Sequence, residues 1–199
     1  MIIWVGFFLI WDKFKKLIFN LLLKIKRMKK FQDCINTYKD FPIKGVDFKD
    51  LLGILHEPEL FCELIMKMCS SSIIKNSEAI ISIDARGFIF GSAVSLKSLK
   101  PMIVARKSGK LPGEIVKQNY DLEYGENSLS IQKDSLNKFG SYVIIDDLLA
   151  TGGTVQCVAN LLSNNNKKIM GLITVVELVK LGGKSKLNFP VESIIKLWN

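Results

Sequence analysis

A mostly parallel α/β sheet, flanked by helices on both faces, is what the sequence predicts, and two observations carry that expectation. Short, continuous, β-branched apolar runs recur along the chain, and stretches with apolar residues at helical spacing separate them. Strands that read as unbroken apolar runs are buried on both faces, and alternation with helices supplies the crossovers that parallel pairing needs. Residues 31–199 are expected to form one such domain behind a distinct leader at residues 1–30.

In chain order, Phe31–Tyr38 has a short helical pattern, which the Phe41-Pro42 turn is expected to end. Pro58 suits the first turn of a helix that carries Leu60, Phe61, Leu64, Ile65 and Met68 on one side. Ala79-Ile80-Ile81-Ser82-Ile83 reads as a buried strand; Asp84-Ala85-Arg86-Gly87 follows it, then a second helix to about Ser98. Met102–Ala105 is a further strand. Residues 106–127 are polar, rich in Gly and Lys, and poor in periodicity, which predicts a long irregular segment of the kind that is disordered or serves as a lid. Tyr142–Ile145 is the most apolar strand and Thr154–Leu162 the helix after it, with late strands at Ile169–Val176 and Ser193–Leu197. The sequence has no internal repeat.

Composition narrows the function classes. With 48% hydrophobic residues in 199, the chain has enough apolar mass for a core, which excludes a disordered polymer. The formal charge is +9, but residues 1–30 hold eight lysines and arginines against the single acid Asp12, so the remaining 169 residues carry only +2. The basic character therefore belongs to the leader, and the body gives no reason to expect a nucleic-acid partner. Eleven apolar residues at the start fall short of the ~20 that span a bilayer, and the positive charges follow the apolar stretch, the reverse of a secretory signal. From Asp12, Lys13, Lys16, Asn20, Lys24 and Arg27 share one helical face, while Phe14, Leu17, Ile18, Leu21 and Ile25 share the other. Three readings of the leader stay open: upstream sequence ahead of a start at Met28, a membrane-surface anchor within residues 1–27, or a helix packed on the body. Cys34, Cys62, Cys69 and Cys157 form no C-x-x-C pair and His56 is the only histidine, so a zinc site is not expected; four reduced thiols in a cytoplasmic compartment are.

The chemistry is concentrated in Val143-Ile144-Ile145-Asp146-Asp147-Leu148-Leu149-Ala150-Thr151-Gly152-Gly153-Thr154. A hydrophobic strand is expected to end in two adjacent carboxylates, after which a small-residue turn opens a helix. Ligands of parallel sheets sit above the carboxyl ends of the strands. Gly152 and Gly153 let the backbone approach a ligand closely. Amides from Thr151 to Thr154, backed by a helix N-terminus, cradle a phosphate, and Asp146 and Asp147 accept hydrogen bonds from a vicinal diol. A phosphate cradle beside two diol acceptors is a ribose-5-phosphate site. The lysine of G-x-x-x-x-G-K-[ST] is absent, so this is not a Walker loop.

That fingerprint resembles the type I phosphoribosyltransferases, and within them the adenine-specific branch. The resemblance runs from about Phe31 to Leu197. It rests on Asp40-Phe41-Pro42, Gly45-Val46-Asp47-Phe48-Lys49-Asp50, Ala85-Arg86-Gly87-Phe88-Ile89-Phe90-Gly91, Arg106-Lys107-Ser108-Gly109-Lys110-Leu111-Pro112, Tyr120-Asp121-Leu122-Glu123-Tyr124-Gly125 and Asp146–Thr154. The Lys-Leu-Pro and Leu-Glu-Tyr-Gly segments are what point to adenine. The fold it implies adds a small N-terminal hood and a flexible active-site loop to the parallel sheet. The activity it implies is purine salvage, joining adenine to the ribose 5-phosphate of 5-phosphoribosyl 1-pyrophosphate to give AMP and pyrophosphate, with Mg²⁺ carried by the substrate and no protein residue assigned as its direct ligand.

By the same resemblance, Ala150, Thr151, Gly152, Gly153 and Thr154 hold the 5′-phosphate, and Asp146 and Asp147 the ribose. Asp84, Ala85 and Arg86, with Arg106, Lys107 and Lys110, meet the pyrophosphate, Arg86 also serving catalysis. Phe48 stacks on adenine, and Val46, Asp47 and Lys49 line its edge. Glu123 handles the purine ring proton and Tyr124 packs beside it. Lys49 stands where arginine is common and Asp47 where a small apolar residue is frequent, and an ammonium does not replace a planar guanidinium. A homodimer is implied, with Arg106–Lys110 near the subunit contact. Two alternatives remain at this point: transfer to another purine base, and a non-catalytic sensor of the sugar diphosphate.

Overall fold

The computed structural model describes residues 31–122 and 125–198. The chain divides into two compact units, residues 1–61 and 62–199. The leader, with each reading of it, lies outside the described residues.

The described part of the first unit is built on a two-stranded antiparallel ribbon. Strand β1 (Asn36–Tyr38) pairs with β2 (Phe48–Asp50), setting Tyr38 opposite Phe48 and Thr37 opposite Lys49. The expected helix over Phe31–Tyr38 is thus corrected: residues 31–33 are helical, and the chain turns to strand from Asn36. Its backbone finds ladder partners some ten residues on, and the Lys49 ammonium donates across the ribbon to Thr37 Oγ1 at 3.1 Å. Non-local pairing overrides weak local helical periodicity. The connection is tied by its own backbone: Gly45 N–H donates to Asp40 Oδ1 (2.7 Å), and Phe41 N–H to the Val46 carbonyl (3.1 Å).

The second unit holds a seven-stranded sheet in the order β5-β6-β4-β3-β7-β8-β9. Its strands are β3 (Ala79–Ile83), β4 (Met102–Lys107), β5 (Ile115–Leu122), β6 (Gly125–Gln132), β7 (Ser141–Leu149), β8 (Lys168–Leu178) and β9 (Val191–Leu197). Pairings β3–β4, β3–β7, β7–β8 and β8–β9 are parallel, while β4–β6 and β5–β6 are antiparallel. Helices α1 (Pro58–Ser70) and α2 (Ser72–Asn76) precede the sheet, and α3 (Gly87–Ser98), α4 (Lys133–Asn137) and α5 (Gly153–Asn164) lie between its strands. Every residue of β3 is buried, as its unbroken apolar run predicts. One core cluster gathers Ile81 and Ile83 with Ile144, Leu149, Val158 and Leu162. Each such side chain contributes roughly 1.5–3 kcal/mol by leaving water. That burial fixes the strand ends on which the site is built.

The irregular segment expected over residues 106–127 is corrected as well. It contains the outer arm of an antiparallel hairpin, β5 on β6, whose register runs from Ile115 opposite Gln132 to Leu122 opposite Gly125. On β6 the apolar residues Leu129 and Ile131 alternate with Ser130, which is buried too, so the apolar signal has period two and is diluted by polar neighbours. Among the described residues, no helix is long and apolar enough to cross a membrane.

Candidate active site

The phosphate cradle begins where β7 hands over to α5. Gly152 sits just before the helix with φ +84°, a left-handed conformation that favours glycine, and its carbonyl accepts the Gln156 N–H at 2.8 Å. The first amides of α5 have no partner within the helix and lie at the positive end of its dipole. Thr151 is exposed, and Thr154, in the first turn of the helix, is half-buried. Val155, Val158, Leu161 and Leu162 are buried beneath, which holds the helix mouth in place.

The carboxylate pair is placed differently from the sequence expectation. Strand β7 does not end at the acids but runs on to Leu149, and Asp146 (9% exposed) and Asp147 (5%) are enclosed within it. The Asp147 N–H donates to Asp146 Oδ1 at 2.9 Å. Because β3 is the parallel neighbour of β7, the turn after β3 lies against them: a Cβ on Gly87 would stand 2.9 Å from Asp146 Oδ1. From the same turn, Arg86 Nε approaches Asp147 Oδ2 at 2.9 Å, as an ion pair not aligned into a hydrogen bond. Burial pushes both carboxyls above the usual carboxylate range; the Asp147 charge adds to this at Asp146, while the Arg86 guanidinium pulls Asp147 partly back.

A second pair lies on the next strand. Arg106, on β4, donates through Nε to Asp84 Oδ2 at 3.1 Å and through Nη1 to the Lys110 carbonyl at 3.3 Å, and its guanidinium lies 5.9 Å from the centre of the Phe88 ring. The Asp84–Ala85 peptide is cis. Lys107, the last residue of β4, and Lys110, on the loop beyond it, are exposed. The sequence reading assigned Asp84 and Arg106 to the diphosphate but did not anticipate that they hold each other; charge patterning along β3 and β4 has no local signature for a pair 22 positions apart. Nor did any signal mark Phe88 as the ring beneath Arg106.

In the first unit, Phe48 is half-buried and meets Phe41 edge-on, with centroids 5.2 Å apart and planes at 76°. Lys49 is buried, 8% exposed, with its ammonium on Thr37. Asp47 is exposed. The Val46 N–H donates to the Ile43 carbonyl and its own carbonyl accepts from Phe41, so its backbone is engaged within the loop. Thr37 is a neighbour the sequence reading missed; the register that pairs it with Lys49 would have found it. Glu123 and Tyr124 lie outside the described residues.

Residues 55–196 match the phosphoribosyl transferase domain. The chain belongs to the phosphoribosyltransferase family. Among the curated phosphoribosyltransferases similar to it, adenine phosphoribosyltransferase of Prochlorococcus marinus (strain MIT 9515) is 68% identical over 166 residues, which is 83% of this chain and 97% of that protein. The crystal structure of adenine phosphoribosyltransferase from Thermoanaerobacter pseudethanolicus superposes with a TM-score of 0.79 at 34% identity, covering 85% of this chain and 99% of that one. The Saccharomyces cerevisiae adenine phosphoribosyltransferase, solved with adenine and an imino-altritol bisphosphate, has a TM-score of 0.77 at 32% identity, with 85% and 99% covered. The parallel sheet with its strand-end site is therefore a type I phosphoribosyltransferase fold.

Proposed function

We propose that the chain makes AMP and pyrophosphate from adenine and 5-phosphoribosyl 1-pyrophosphate. The observation that carries this reading is the run from enclosed carboxylates to helix mouth, Asp146 to Thr154, with Arg86 laid against it. Curated relatives and solved structures named adenine phosphoribosyltransferase support adenine as the base. In the reaction the C1′–oxygen bond to pyrophosphate breaks, adenine N9 bonds to C1′, and the N9 proton leaves. Amides and hydroxyls of Ala150–Thr154 hold the 5′-phosphate. Asp146 and Asp147 accept the ribose hydroxyls, and Asp84–Arg86 with Arg106, Lys107 and Lys110 neutralise the departing pyrophosphate. Phe48 stacks on the purine, with Asp47 and Lys49 beside it. The Val46 amide and carbonyl are engaged within the loop, and the backbone around Asp47 reads the purine edge.

No group of three or more His, Cys, Asp or Glu able to hold a metal occurs among the described residues. The donor set nevertheless fits Mg²⁺ held mainly by substrate: adjacent hard carboxylates at 146 and 147, with remaining ligands from diphosphate, hydroxyls and water. When bound, Mg²⁺ supplies charge stabilisation to the diphosphate. Glu123 takes the ring proton with Tyr124 as its helper, and residues 106–127 serve to keep water from the activated sugar, as the resemblance implies. Residues 31–199 act as one catalytic domain, in a cytoplasmic homodimer with Arg106–Lys110 near the subunit contact. The resemblance supports the dimer, and four free thiols support the location.

Incubation with 5-phosphoribosyl 1-pyrophosphate, Mg²⁺ and each purine base in turn tests the reading. AMP from adenine is expected; nucleotide formed chiefly from another base, or none from any, would overturn it. Glu123→Ala is expected to lower kcat by about 10²-fold under conditions where chemistry limits the rate. Undiminished turnover there would remove Glu123 from proton transfer.

A further inference from the structure

The chain between β8 and β9 forms two short 3₁₀ turns, Val179–Leu181 and Gly183–Lys186, joined at Gly182. Neither resemblance nor motif assigned this segment a role. Its backbone nevertheless touches the phosphate loop directly. A Cβ built on Gly183 would penetrate the Ala150 carbonyl oxygen and stand 2.9 Å from Gly152 N and 3.0 Å from the Thr151 carbonyl carbon. The approach is reciprocal, since a Cβ on Gly152 would stand 3.0 Å from the Gly183 carbonyl oxygen and 3.3 Å from its Cα. Gly183 is buried, and no side chain intervenes between the two backbones.

We propose that Gly183 is a positioning residue for the sugar phosphate: the second backbone wall that sets the course of Ala150–Gly152 and so aims the loop amides. The inference rests on the phosphate role proposed for Ala150–Thr154. Three backbone atoms from three successive residues of the loop crowd the place a side chain would occupy, so any residue larger than glycine moves the loop and not merely a rotamer. Backbone, unlike the end of a flexible side chain, cannot yield without carrying its amides along. Gly182 provides the contrast. Its φ is +65°, but a Cβ there would meet only Ser185 Oγ, at 3.8 Å. Alanine at 182 adds backbone strain without obstruction; alanine at 183 obstructs.

Ribose 5-phosphate binding to the full chain, measured by calorimetry, reads this out. Gly183→Ala is expected to weaken it by about 10- to 100-fold, the scale of loss that follows a misplacement of order 1 Å. KM for 5-phosphoribosyl 1-pyrophosphate should rise with it, while pyrophosphate binding and KM for adenine stay near wild type. Gly182→Ala should leave ribose 5-phosphate affinity within about threefold, since it adds no backbone clash. Equal losses in both variants, or unchanged affinity in Gly183→Ala, would overturn the proposal. Should Gly183→Ala not fold, hydrogen exchange on the wild-type chain decides: added ribose 5-phosphate must slow exchange in residues 179–186 together with residues 150–154, and an unaltered 179–186 segment overturns it. A wild-type chain that does not bind ribose 5-phosphate defeats the phosphate-loop reading itself, an outcome distinct from the others.

Discussion

Arg86→Ala is expected to lower kcat/KM for 5-phosphoribosyl 1-pyrophosphate by roughly 10²–10³-fold, the usual loss when one fixed donor to developing negative charge is removed. Arg86 is the N-cap residue of α3, two residues beyond Asp84 and three beyond the end of β3, so its backbone is held between a fully buried strand and a helix. A cation fixed there needs no reorganisation as the leaving group gathers charge. The same substitution leaves Asp147 enclosed without the guanidinium now 2.9 Å away, so the melting temperature should fall as well. Arg86→Lys separates the two effects: it restores charge near Asp147 but lacks the planar fork, so stability should recover more than kcat/KM does. Steady-state kinetics beside thermal melting checks both. Activity within threefold of wild type in Arg86→Ala would remove the residue from leaving-group stabilisation.

Asp146→Asn is expected to act in opposite directions on activity and stability. Asp146 is enclosed and stands outside the Arg86–Asp147 ion pair, and both burial and the neighbouring Asp147 charge raise its pKa. Between the ordinary carboxylate range and the raised native values, the folded chain holds more protons than the unfolded chain. The pair's contribution to stability therefore declines as pH rises through that window, the reverse of a salt-bridged carboxylate. An asparagine removes the charge and keeps an oxygen to accept the Asp147 N–H, so the variant should melt a few degrees higher at neutral pH, at about 2–4 °C per kcal/mol for a chain of this size. Its melting temperature should also vary less between about pH 4 and pH 8. The ribose loses an anionic acceptor, so KM for 5-phosphoribosyl 1-pyrophosphate should rise by about tenfold, a charged hydrogen bond being worth roughly 1.5–3 kcal/mol. Melting curves across that pH range, with kinetics at one pH, decide the matter. A variant less stable than wild type at neutral pH would show that the carboxylate braces the strand.

How much of this was legible in the sequence depended on whether the deciding interactions were local. Ile80–Ile83 and Tyr142–Ile145 declared themselves because a strand buried on both faces leaves an unbroken apolar run. The order strand, acids, glycines, helix was equally plain, because each part has its own local chemistry. What escaped was non-local. Asn36–Tyr38 become strand only through Phe48–Asp50, and the arm at Ile115–Leu122 becomes strand through its ladder with β6. Continuation of β7 to Leu149 follows from parallel pairing with β8, where Leu148 lies opposite Val176 and Leu149 opposite Glu177. Lys49 illustrates the same limit: its position was noted for the base, but its burial against Thr37 is a property of register.

Each arginine of the strand-end cluster already faces an aspartate, Arg86 with Asp147 and Arg106 with Asp84. Those four side chains cancel in sum, so a lone inorganic anion gains a guanidinium only by competing with a carboxylate that has not moved. A molecule offering hydroxyls to the acid and phosphate to the base in one stroke satisfies both partners at once. On that ground a sugar diphosphate is expected to bind more tightly than pyrophosphate alone, by more than its extra hydroxyl contacts would add to an unpaired cluster.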